Sequence, residues 1–444
     1  MPVLPPSTPS TAWFFLQRKP LTLVVSVVFR EADVVESPPL VEMAVDKNRD
    51  AIPKFLSQDN SDATSAGDPF VFWLNDDHDG YSTASGETDV QDDLESGSPD
   101  YQDGQIVCRR DLEDFQRLWI KVDQDLLEGD EVVLKWVDVT EGAPAIKIYP
   151  AAESDGGTAY LTDESVKQVY FGLNNTNPSG YYGKSMVTVS GSTEVAIPFS
   201  SGTVWKKDEA QYFLFEASGN GKGTLQVSVR RGSVIAQDAQ STAYKAFMDL
   251  KDIKELYERW TVGDGNGGAP TSLAAISQAR LAAGTDGLKY ISGDPGLSVP
   301  TDPNGNKYIL FVHGWNLPPW ERDAFAETMF KRLYWQGYKG KFGAFQWPTT
   351  YNNYNDYQSI LTYDDGEYTA WRSAVPLSGL LSSLHGTYGD GIHVLAHSMG
   401  NVVTGEALRI AAQAGTGQLV NTYVASQAAV PGHCYDPALT EMTY

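Results

Sequence analysis

The stretch Ile392-His393-Val394-Leu395-Ala396-His397-Ser398-Met399-Gly400-Asn401 decides the fold of the C-terminal part of the chain. Its apolar run predicts a buried strand, and apolar residues at helical spacing predict a helix directly after it: Val402, Val403, Ala407, Leu408 and Ile410. Ser398 lies between the two, flanked by the small Ala396 and Gly400, which leave room for a sharp turn. Such a turn exposes the serine Oγ and directs the N–H of Met399 towards an oxyanion. The stretch therefore predicts a nucleophilic serine; the alternative is an ordinary strand–helix connection.

A second apolar run, from Lys307 to Val312, also predicts a buried strand, and it leads into His313-Gly314-Trp315-Asn316. Because glycine lets the backbone approach a substrate closely, the N–H of Gly314 or Trp315 is the predicted second oxyanion donor beside that of Met399. His313 opens this motif. Its side chain belongs either to the oxyanion site or simply to the hydrogen bonds of the loop.

Composition excludes some classes of partner. The chain has 57 acidic against 33 basic residues and a net charge of −24, so its surface repels nucleic acid. No run reaches the ~18 apolar residues of a transmembrane segment. The two cysteines, Cys108 and Cys434, fall in different regions and predict neither a disulfide scaffold nor a metal site. Redox compartment and oligomeric state stay open.

The location of the protein is predicted from its charge and its N-terminus. The apolar stretch Leu21 to Phe29 follows Arg18 and Lys19 and has the length of a signal peptide, but no small-residue cleavage site follows it. A β-strand explains the stretch equally well. An acidic surface suits a saline or calcium-containing medium, so we predict an extracellular or cell-surface protein.

Composition also divides the chain into four regions. These are an acidic N-terminal region (1–105), a β-sandwich-like domain (106–240), a helix with a flexible linker (241–300) and an α/β domain (301–444). In the second region, short alternating runs separated by turns such as Gly219-Asn220-Gly221 predict antiparallel strands. Apolar spacing predicts the helix over 243–261. In the last region strands alternate with helices, which predicts a mostly parallel sheet with its ligands at the carboxyl ends of the strands.

Two runs in the N-terminal region alternate oxygen-bearing side chains in a way that suits a hard cation: Asp46, Asn48 and Asp50, and then Asn75, Asp77 and Asp79. The second run ends in the expected glycine, Gly80, whereas Ala51 stands at that position in the first. We predict a structural Ca²⁺ site. The alternative is that these residues form ordinary turns, which Asn, Asp and Gly favour in any protein.

Three motifs in order resemble bacterial α/β-hydrolases of the lipase/esterase type: His313–Asn316, Phe345–Thr349 and Ala396–Asn401. The resemblance covers about residues 305–436. It implies a serine hydrolase in which Ser398 attacks a small-molecule or lipid ester, with no cofactor for catalysis. It also implies an apolar acyl pocket walled by Trp315, Trp320 and the segment Trp347–Tyr363, although core packing explains these aromatic residues equally well. His397 belongs to the turn motif, and its side chain is expected to point away from the serine Oγ.

The catalytic histidine is the point where the sequence departs from that family. The family order is serine, then acid, then histidine. Asp436, just after the last predicted strand, is the predicted acid, but the one histidine after Ser398 is His433, which precedes this acid. His433 is therefore the candidate base only out of order. We expect an incomplete hydrolase domain, nearly inactive as it stands, whose histidine lies beyond Tyr444. The alternative is a non-catalytic adhesion or carbohydrate-binding protein on a degenerate hydrolase scaffold.

Overall fold

A computed structural model describes residues 40–56, 59–74, 112–151, 187–197, 205–236, 242–262, 289–292, 307–317, 319–349 and 363–435. These residues form a nine-stranded sheet, largely antiparallel, and a six-stranded, largely parallel sheet. None of the described helices is long and apolar enough to cross a membrane. The stretch Leu21–Phe29 lies outside the described residues.

The first sheet contains the strands β1 (Val41–Val45), β2 (Phe70–Trp73), β3 (Phe115–Val122), β4 (Asp130–Ala151), β5 (Val187–Ser190), β6 (Val195–Ala196), β7 (Gln211–Arg231), β8 (Val234–Ala236) and β9 (Lys245–Lys251). Its main path runs β1-β3-β7-β4-β5, with β9 paired to β7 and β2 paired to β9. All pairs are antiparallel except β2 with β9. The antiparallel strands predicted for the middle region are therefore present.

The antiparallel pair of the long strands β4 and β7 organises this sheet. The two strands are 22 and 21 residues long, and bulges interrupt their pairing between Val137 and Ile146. Gly219-Asn220-Gly221, predicted as a turn, lies inside β7 at these bulges. The prediction was wrong because the glycines serve close backbone approach: a Cβ on Gly221 would lie 2.6 Å from the carbonyl oxygen of Glu141.

The bulges divide the long β4–β7 pair into halves with different neighbours. The first part of β7 pairs with β3 and the later part pairs with β9. Both halves bury side chains in one core, where Phe70 and Phe72 of β2 contact Phe215 of β7 at ring-centroid distances of 6.1 and 6.3 Å. Among the described residues the predicted sandwich is thus one continuous sheet, not two separate sheets.

The prediction of a helix over 243–261 was wrong. This segment forms β9, a short 3-10 turn at Ile253–Glu255 and the strand β10 (Glu258–Thr261). Its apolar residues fit a period of two as well as helical spacing, because Ala246, Met248 and Leu250 alternate and are all buried. Pairing with β7 on one side and β2 on the other decides between the two periods.

The second sheet contains β10, β11 (Lys289–Ser292), β12 (Tyr308–Val312), β13 (Lys341–Gln346), β14 (Ile392–His397) and β15 (Thr422–Ser426). Its order is β11-β10-β13-β12-β14-β15, and only β11 runs antiparallel to its neighbour. Three helices of the described chain pack with it: α1 (Pro319–Trp335), α2 (Tyr363–Tyr388) and α3 (Gly400–Gln413). The predicted parallel sheet is confirmed, and β10 and β11 extend it into the region predicted as helix and linker.

The strand register gathers the carboxyl ends of four strands at one edge. Val312 of β12 is level with Phe345 of β13 and with Ala396 of β14, and Ala396 is level with Ala425 of β15. Residues that follow these strands in the chain are therefore neighbours in space. The predicted oxyanion motif at His313–Asn316 and the serine motif at Ala396–Asn401 therefore meet at this edge.

Helix α1 joins the two sheets. Its Phe330 lies 5.9 Å, between ring centroids, from Trp73 of the first sheet and 6.0 Å from Phe342 of the second. The same helix carries Lys331, whose Nζ is 2.8 Å from Asp114, and both side chains are fully buried. Removing one partner of such a pair costs about 3–5 kcal/mol. The two sheets therefore pack as one unit around α1.

Candidate active site

Ser398 follows β14 directly and precedes α3. Its φ of +49° lies in the left-handed region that non-glycine residues rarely adopt. The backbone is fixed by its N–H, which donates to Ser426 O at 3.0 Å, and by its carbonyl oxygen, which accepts from the N–H groups of Asn401 and Ala429 at 3.1 Å each. Within the described part of the chain the Oγ makes no hydrogen bond. The turn thus holds Ser398 in a strained conformation at the carboxyl end of β14.

Asn401 fixes this turn from beneath and was not singled out by the sequence analysis. The side chain is fully buried, and its Nδ2 donates to Ala396 O at 3.1 Å and to Ser398 O at 2.9 Å. Its Oδ1 accepts a hydrogen bond of 2.7 Å from the hydroxyl of Tyr423. Asn401 closes the Ala-His-Ser-Met-Gly-Asn motif, which is the one sequence signal that pointed to it.

Two glycines, Gly314 and Gly400, let the predicted oxyanion loop (His313–Asn316) pack against Ser398. A Cβ on Gly400 would lie 2.5 Å from His313 O, so the start of α3 packs directly on the end of β12. A Cβ on Gly314 would lie 3.1 Å from the Cβ of Ser398 and 3.0 Å from the Nδ1 of His397. At Gly400 no larger residue fits without displacing backbone, and at Gly314 a side chain would require His397 or Ser398 to shift by a few tenths of an ångström. The predicted oxyanion residues therefore border Ser398.

Met399 and Trp315 complete the surroundings of the serine. Met399 is fully buried and stands at the N-cap of α3, whose first N–H groups have no acceptor within the helix. Trp315 contacts Tyr363 of α2 edge-to-face at 5.3 Å between ring centroids. The predicted donors thus lie on two backbone segments that meet beside the serine.

His313 is a structural residue of the loop. Its Nδ1 is 2.7 Å from Gly314 O, its Nε2 accepts from the N–H of Trp347 at 3.1 Å, and its ring stacks on that indole with an interplanar angle of 5°. Burial, and after it the charge of Arg322, holds the pKa of His313 well below its ordinary value. The imidazole is therefore neutral with both nitrogens engaged, and it is not available as a base.

Trp347 belongs to the same arrangement. It is fully buried, and its Nε1 donates to His313 O at 2.8 Å, so it packs in the core and does not wall a pocket. Thr349 extends the contact, because its Oγ1 accepts from the N–H of Asn316 at 2.9 Å. The motifs at 313–316 and 345–349 are thus two sides of one loop framework.

Comparison with protein families now identifies this region. Residues 299–426 match a family described as "Alpha/beta hydrolase of unknown function (DUF900)". Residues 299–426 are an α/β-hydrolase domain. The predicted resemblance is confirmed at this level, and the match leaves the first sheet outside.

Other comparisons add little to the assignment of the α/β-hydrolase domain. No curated protein matches the chain. Among solved structures, an active site mutant of a family two carbohydrate esterase from Clostridium thermocellum covers 70% of this chain and 81% of its own, at 9% identity and a TM-score of 0.21. A TM-score this low supports no conclusion about fold or function.

His397 lies on the open side of the α/β-hydrolase site. Its Nε2 is 3.1 Å from Oε1 of Gln427, and its ring stacks on Phe325 of α1 at 6.1 Å. Gln427, with a φ of +42°, follows β15 just as Ser398 follows β14. This contact joins the serine turn to the end of the neighbouring strand and was not predicted from the sequence.

The predicted acid and base lie at the margin of the described chain. Asp436 is outside the described residues, and of His433 only the backbone is described, in a 3-10 turn at Gly432–Tyr435. The hydroxyl of Tyr435 in that turn is 3.3 Å from that of Tyr423, which donates to Asn401. The turn that carries His433 is therefore linked through two tyrosines to the residue that fixes the serine turn. Both assignments stay predictions.

The predicted cation loop lies in the first sheet, after β1. Asp46 is fully buried and pairs with Arg117 at 2.7 Å, and Asn48 and Asp50 follow it on the loop; Asn75, Asp77 and Asp79 are outside the described residues. Burial raises the pKa of Asp62, which contacts this loop, to about 7. In the described ranges no group of three or more His, Cys, Asp or Glu side chains is placed so that it could hold a metal ion.

Proposed function

We propose that the α/β-hydrolase domain is a serine hydrolase that acts on carboxylic esters. The observation that carries the proposal is the conformation of Ser398, which has a φ of +49° and whose Cβ would lie 3.1 Å from a Cβ on Gly314. Strain of this kind is costly and is characteristic of functional sites, where the surrounding structure maintains it. Here it presents a hydroxyl beside backbone N–H groups.

The proposed reaction uses these groups in order. The Oγ of Ser398 attacks the ester carbonyl, its proton passes to the base, and the resulting oxyanion is held by the N–H of Met399 and that of Gly314 or Trp315. Collapse of this intermediate breaks the C–O bond of the ester, and the alcohol leaves with the proton from the base. Water then releases the acid from the acyl-enzyme by the same steps. Asp436 is the proposed acid and His433 the candidate base.

The substrate proposed is a small-molecule or lipid ester. Trp315 and the partly exposed Tyr363 contact each other at the rim of the oxyanion loop and offer an apolar surface for an acyl chain. The acidic chain, with a net charge of −24, favours uncharged or positively charged substrates over polyanions.

The test is labelling with a fluorophosphonate probe, located by peptide mass spectrometry. We expect the label on Ser398, its loss in Ser398→Ala, and its retention in Ser382→Ala, a matched change of a serine on α2. Absence of label at Ser398 both in the folded 444-residue chain and in a C-terminally extended chain, or a label on another serine, would contradict the proposal. Labelling of Ser398 that disappears in His433→Ala would assign the base.

A further inference from the structure

A buried arginine contacts the chain directly after the predicted oxyanion loop, His313–Asn316. Arg322 belongs to the first turn of α1 and has a relative exposure of 1%. Its Nε donates to Leu317 O at 3.0 Å, and its Nη1 donates to Trp347 O at 3.4 Å. One guanidinium therefore holds the chain at both of the motifs that form the loop framework.

The stability of α1 does not favour an arginine at this position. The first turn of a helix carries the positive end of the helix dipole, so a cation is repelled there. Burying a guanidinium also costs more free energy than burying an apolar side chain, because the charge loses its water. The place of Arg322 is therefore explained by the groups that it holds and not by the helix that carries it.

Trp347 connects Arg322 with His313. The carbonyl oxygen of Trp347 accepts from Arg322, its N–H donates to His313 Nε2 at 3.1 Å, and its indole Nε1 donates to His313 O at 2.8 Å. The indole and the imidazole also stack, with ring centroids 5.4 Å apart. All three side chains are buried, so water does not compete for these hydrogen bonds. A shift of Trp347 would therefore move His313 as well.

His313 in turn fixes one peptide unit of the oxyanion loop. Because its Nε2 accepts from the N–H of Trp347, the ring proton is on Nδ1, which donates to Gly314 O at 2.7 Å. The carbonyl of Gly314 and the N–H of Trp315 belong to the same planar trans peptide, so a fixed carbonyl also fixes the direction of that N–H. The N–H of Trp315 is one of the two donors of this loop that the proposed reaction can use.

The charge of Arg322 keeps His313 in the protonation state that these hydrogen bonds require. A protonated imidazole donates from both nitrogens and cannot accept from the N–H of Trp347. Burial, and after it the charge of Arg322, lowers the pKa of His313, and His397 adds a smaller effect of the same sign. Within the described chain these two are the titratable side chains that act on the ring. Loss of the guanidinium would therefore make the loop more sensitive to acid.

We propose that Arg322 is a positioning residue of the proposed serine site. Through the indole of Trp347 and the imidazole of His313 it sets the direction of the peptide at 314–315. A Cβ on Gly314 would lie 3.1 Å from the Cβ of Ser398, so this peptide borders the nucleophile. Donors that are held in place before the reaction stabilise an oxyanion without reorganising during it. The inference rests on the proposed function, and loss of Arg322 should slow the reaction at Ser398.

Three variants test this role. Arg322→Met removes both the charge and the hydrogen bonds, and Arg322→Lys keeps the charge but loses the fork of donors. Arg332→Met is the matched control, because Arg332 lies on the same helix with its side chain 66% exposed. The control should behave like the parent in every measurement.

Three measurements apply to each variant. In Arg322→Met the rate of fluorophosphonate labelling of Ser398 should fall by about tenfold or more. Amide hydrogen exchange at 313–317 should accelerate by about tenfold or more, with exchange in α3 unchanged. The pKa of His313, followed by NMR, should rise in Arg322→Met and stay at the parent's value in Arg322→Lys, which still accelerates exchange in the loop.

The outcomes separate this inference from the proposed function. Labelling is measured in whichever chain labels at Ser398, the 444-residue chain or a C-terminally extended one. If neither labels, the proposed hydrolysis is wrong, while hydrogen exchange and the titration of His313 still decide whether Arg322 fixes the loop. If Arg322→Met does not fold, Arg322→Lys gives the tests of exchange and labelling. Exchange at 313–317 equal to the parent's in the folded variants, or an unchanged labelling rate, would overturn the inference.

Discussion

The turn at Ser398 and the loop after β1, predicted to bind a cation, both hold a residue in the left-handed conformation, but they differ in how completely their polar groups are hydrogen-bonded. Each follows a buried strand, and each holds a non-glycine residue at positive φ, Ser398 at +49° and Ala51 at +61°. At the serine turn, protein groups satisfy the surrounding backbone, so the strain persists without a ligand. At the cation loop, Asp46 and Asp62 each keep a buried oxygen without a partner. Protein groups thus fix the backbone of the serine turn, whereas within the described chain the loop after β1 leaves two buried carboxylate oxygens without a hydrogen-bond partner.

The largest expected effect comes from removing the hydroxyl of Ser398, which should abolish the proposed reaction and leave the fold of the turn unchanged. Ser398→Ala removes the nucleophile, and in a chain that contains the catalytic base we expect ester hydrolysis to fall by about 10⁴-fold or more. The backbone hydrogen bonds at position 398 do not involve the side chain, so Tm should stay close to that of the parent. Hydrolysis of a chromogenic ester and thermal unfolding measure the two quantities. A variant that keeps its activity would show that another residue is the nucleophile.

Removing the support of the serine turn should have the next largest effect. Asn401→Ala leaves buried partners of its amide unsatisfied, and we expect a loss of about 2–3 kcal/mol in the free energy of unfolding. Tyr423→Phe removes only the bond of 2.7 Å to Asn401 Oδ1 and should cost about 1 kcal/mol. Urea unfolding compares the two variants. Equal losses would mean that the buried amide does not hold the turn.

The buried histidine of the oxyanion loop predicts a dependence on pH. The folded pKa of His313 lies below its unfolded value, so in acid the unfolded chain takes up a proton that the folded chain excludes. The contribution of His313 to stability is complete above about pH 6.5 and is lost as the pH falls below it, by up to about 1.4 kcal/mol per pH unit. The stability gap between the parent and His313→Gln should therefore narrow between pH 8 and pH 5.5 in urea unfolding. A gap that is constant with pH would contradict a neutral His313.

The smallest effect concerns the backbone of the cation loop. Ala51→Gly relieves the left-handed conformation but adds freedom to the unfolded chain, so we expect stabilisation of at most about 1 kcal/mol. Gly191→Ala is the reverse change, at a φ of +65° with open space around it, and should destabilise by about 1 kcal/mol. Thermal unfolding in EDTA measures both. Destabilisation by Ala51→Gly would show that the loop leaves the left-handed conformation in solution.

The parallel sheet could be predicted because its signals are local. The strands β12 and β14 are short apolar runs, the helix after Ser398 has apolar residues at helical spacing, and the residues that allow the turn at Ser398 are adjacent to it. The antiparallel sheet was harder, because the segment 243–261 fits two periods and only its partners β7 and β2 decide between them. The same limit applies to Gly219-Asn220-Gly221, whose role depends on close contact with the bulged β4.

The sequence analysis missed Asn401 and Asp62 for a related reason. Asn401 and Asp62 act on groups that are distant in sequence, such as Tyr423 and Asn48. No spacing rule connects such residues before the chain is folded. The proposed nucleophile and the proposed oxyanion residues each lie within one short motif, whereas the acid and base need contacts between separate segments.

The shared helix α1 has a consequence for how this protein could be inherited or dissected. The family match covers residues 299–426, but α1 buries its aromatic residues against both sheets, and β10 reaches the parallel sheet from before that range. A gene segment coding only for the matched region would expose the face of α1 that now lies against β2, and it would lose the two strands β10 and β11. The unit that recombination can move intact is therefore larger than the unit that sequence similarity defines.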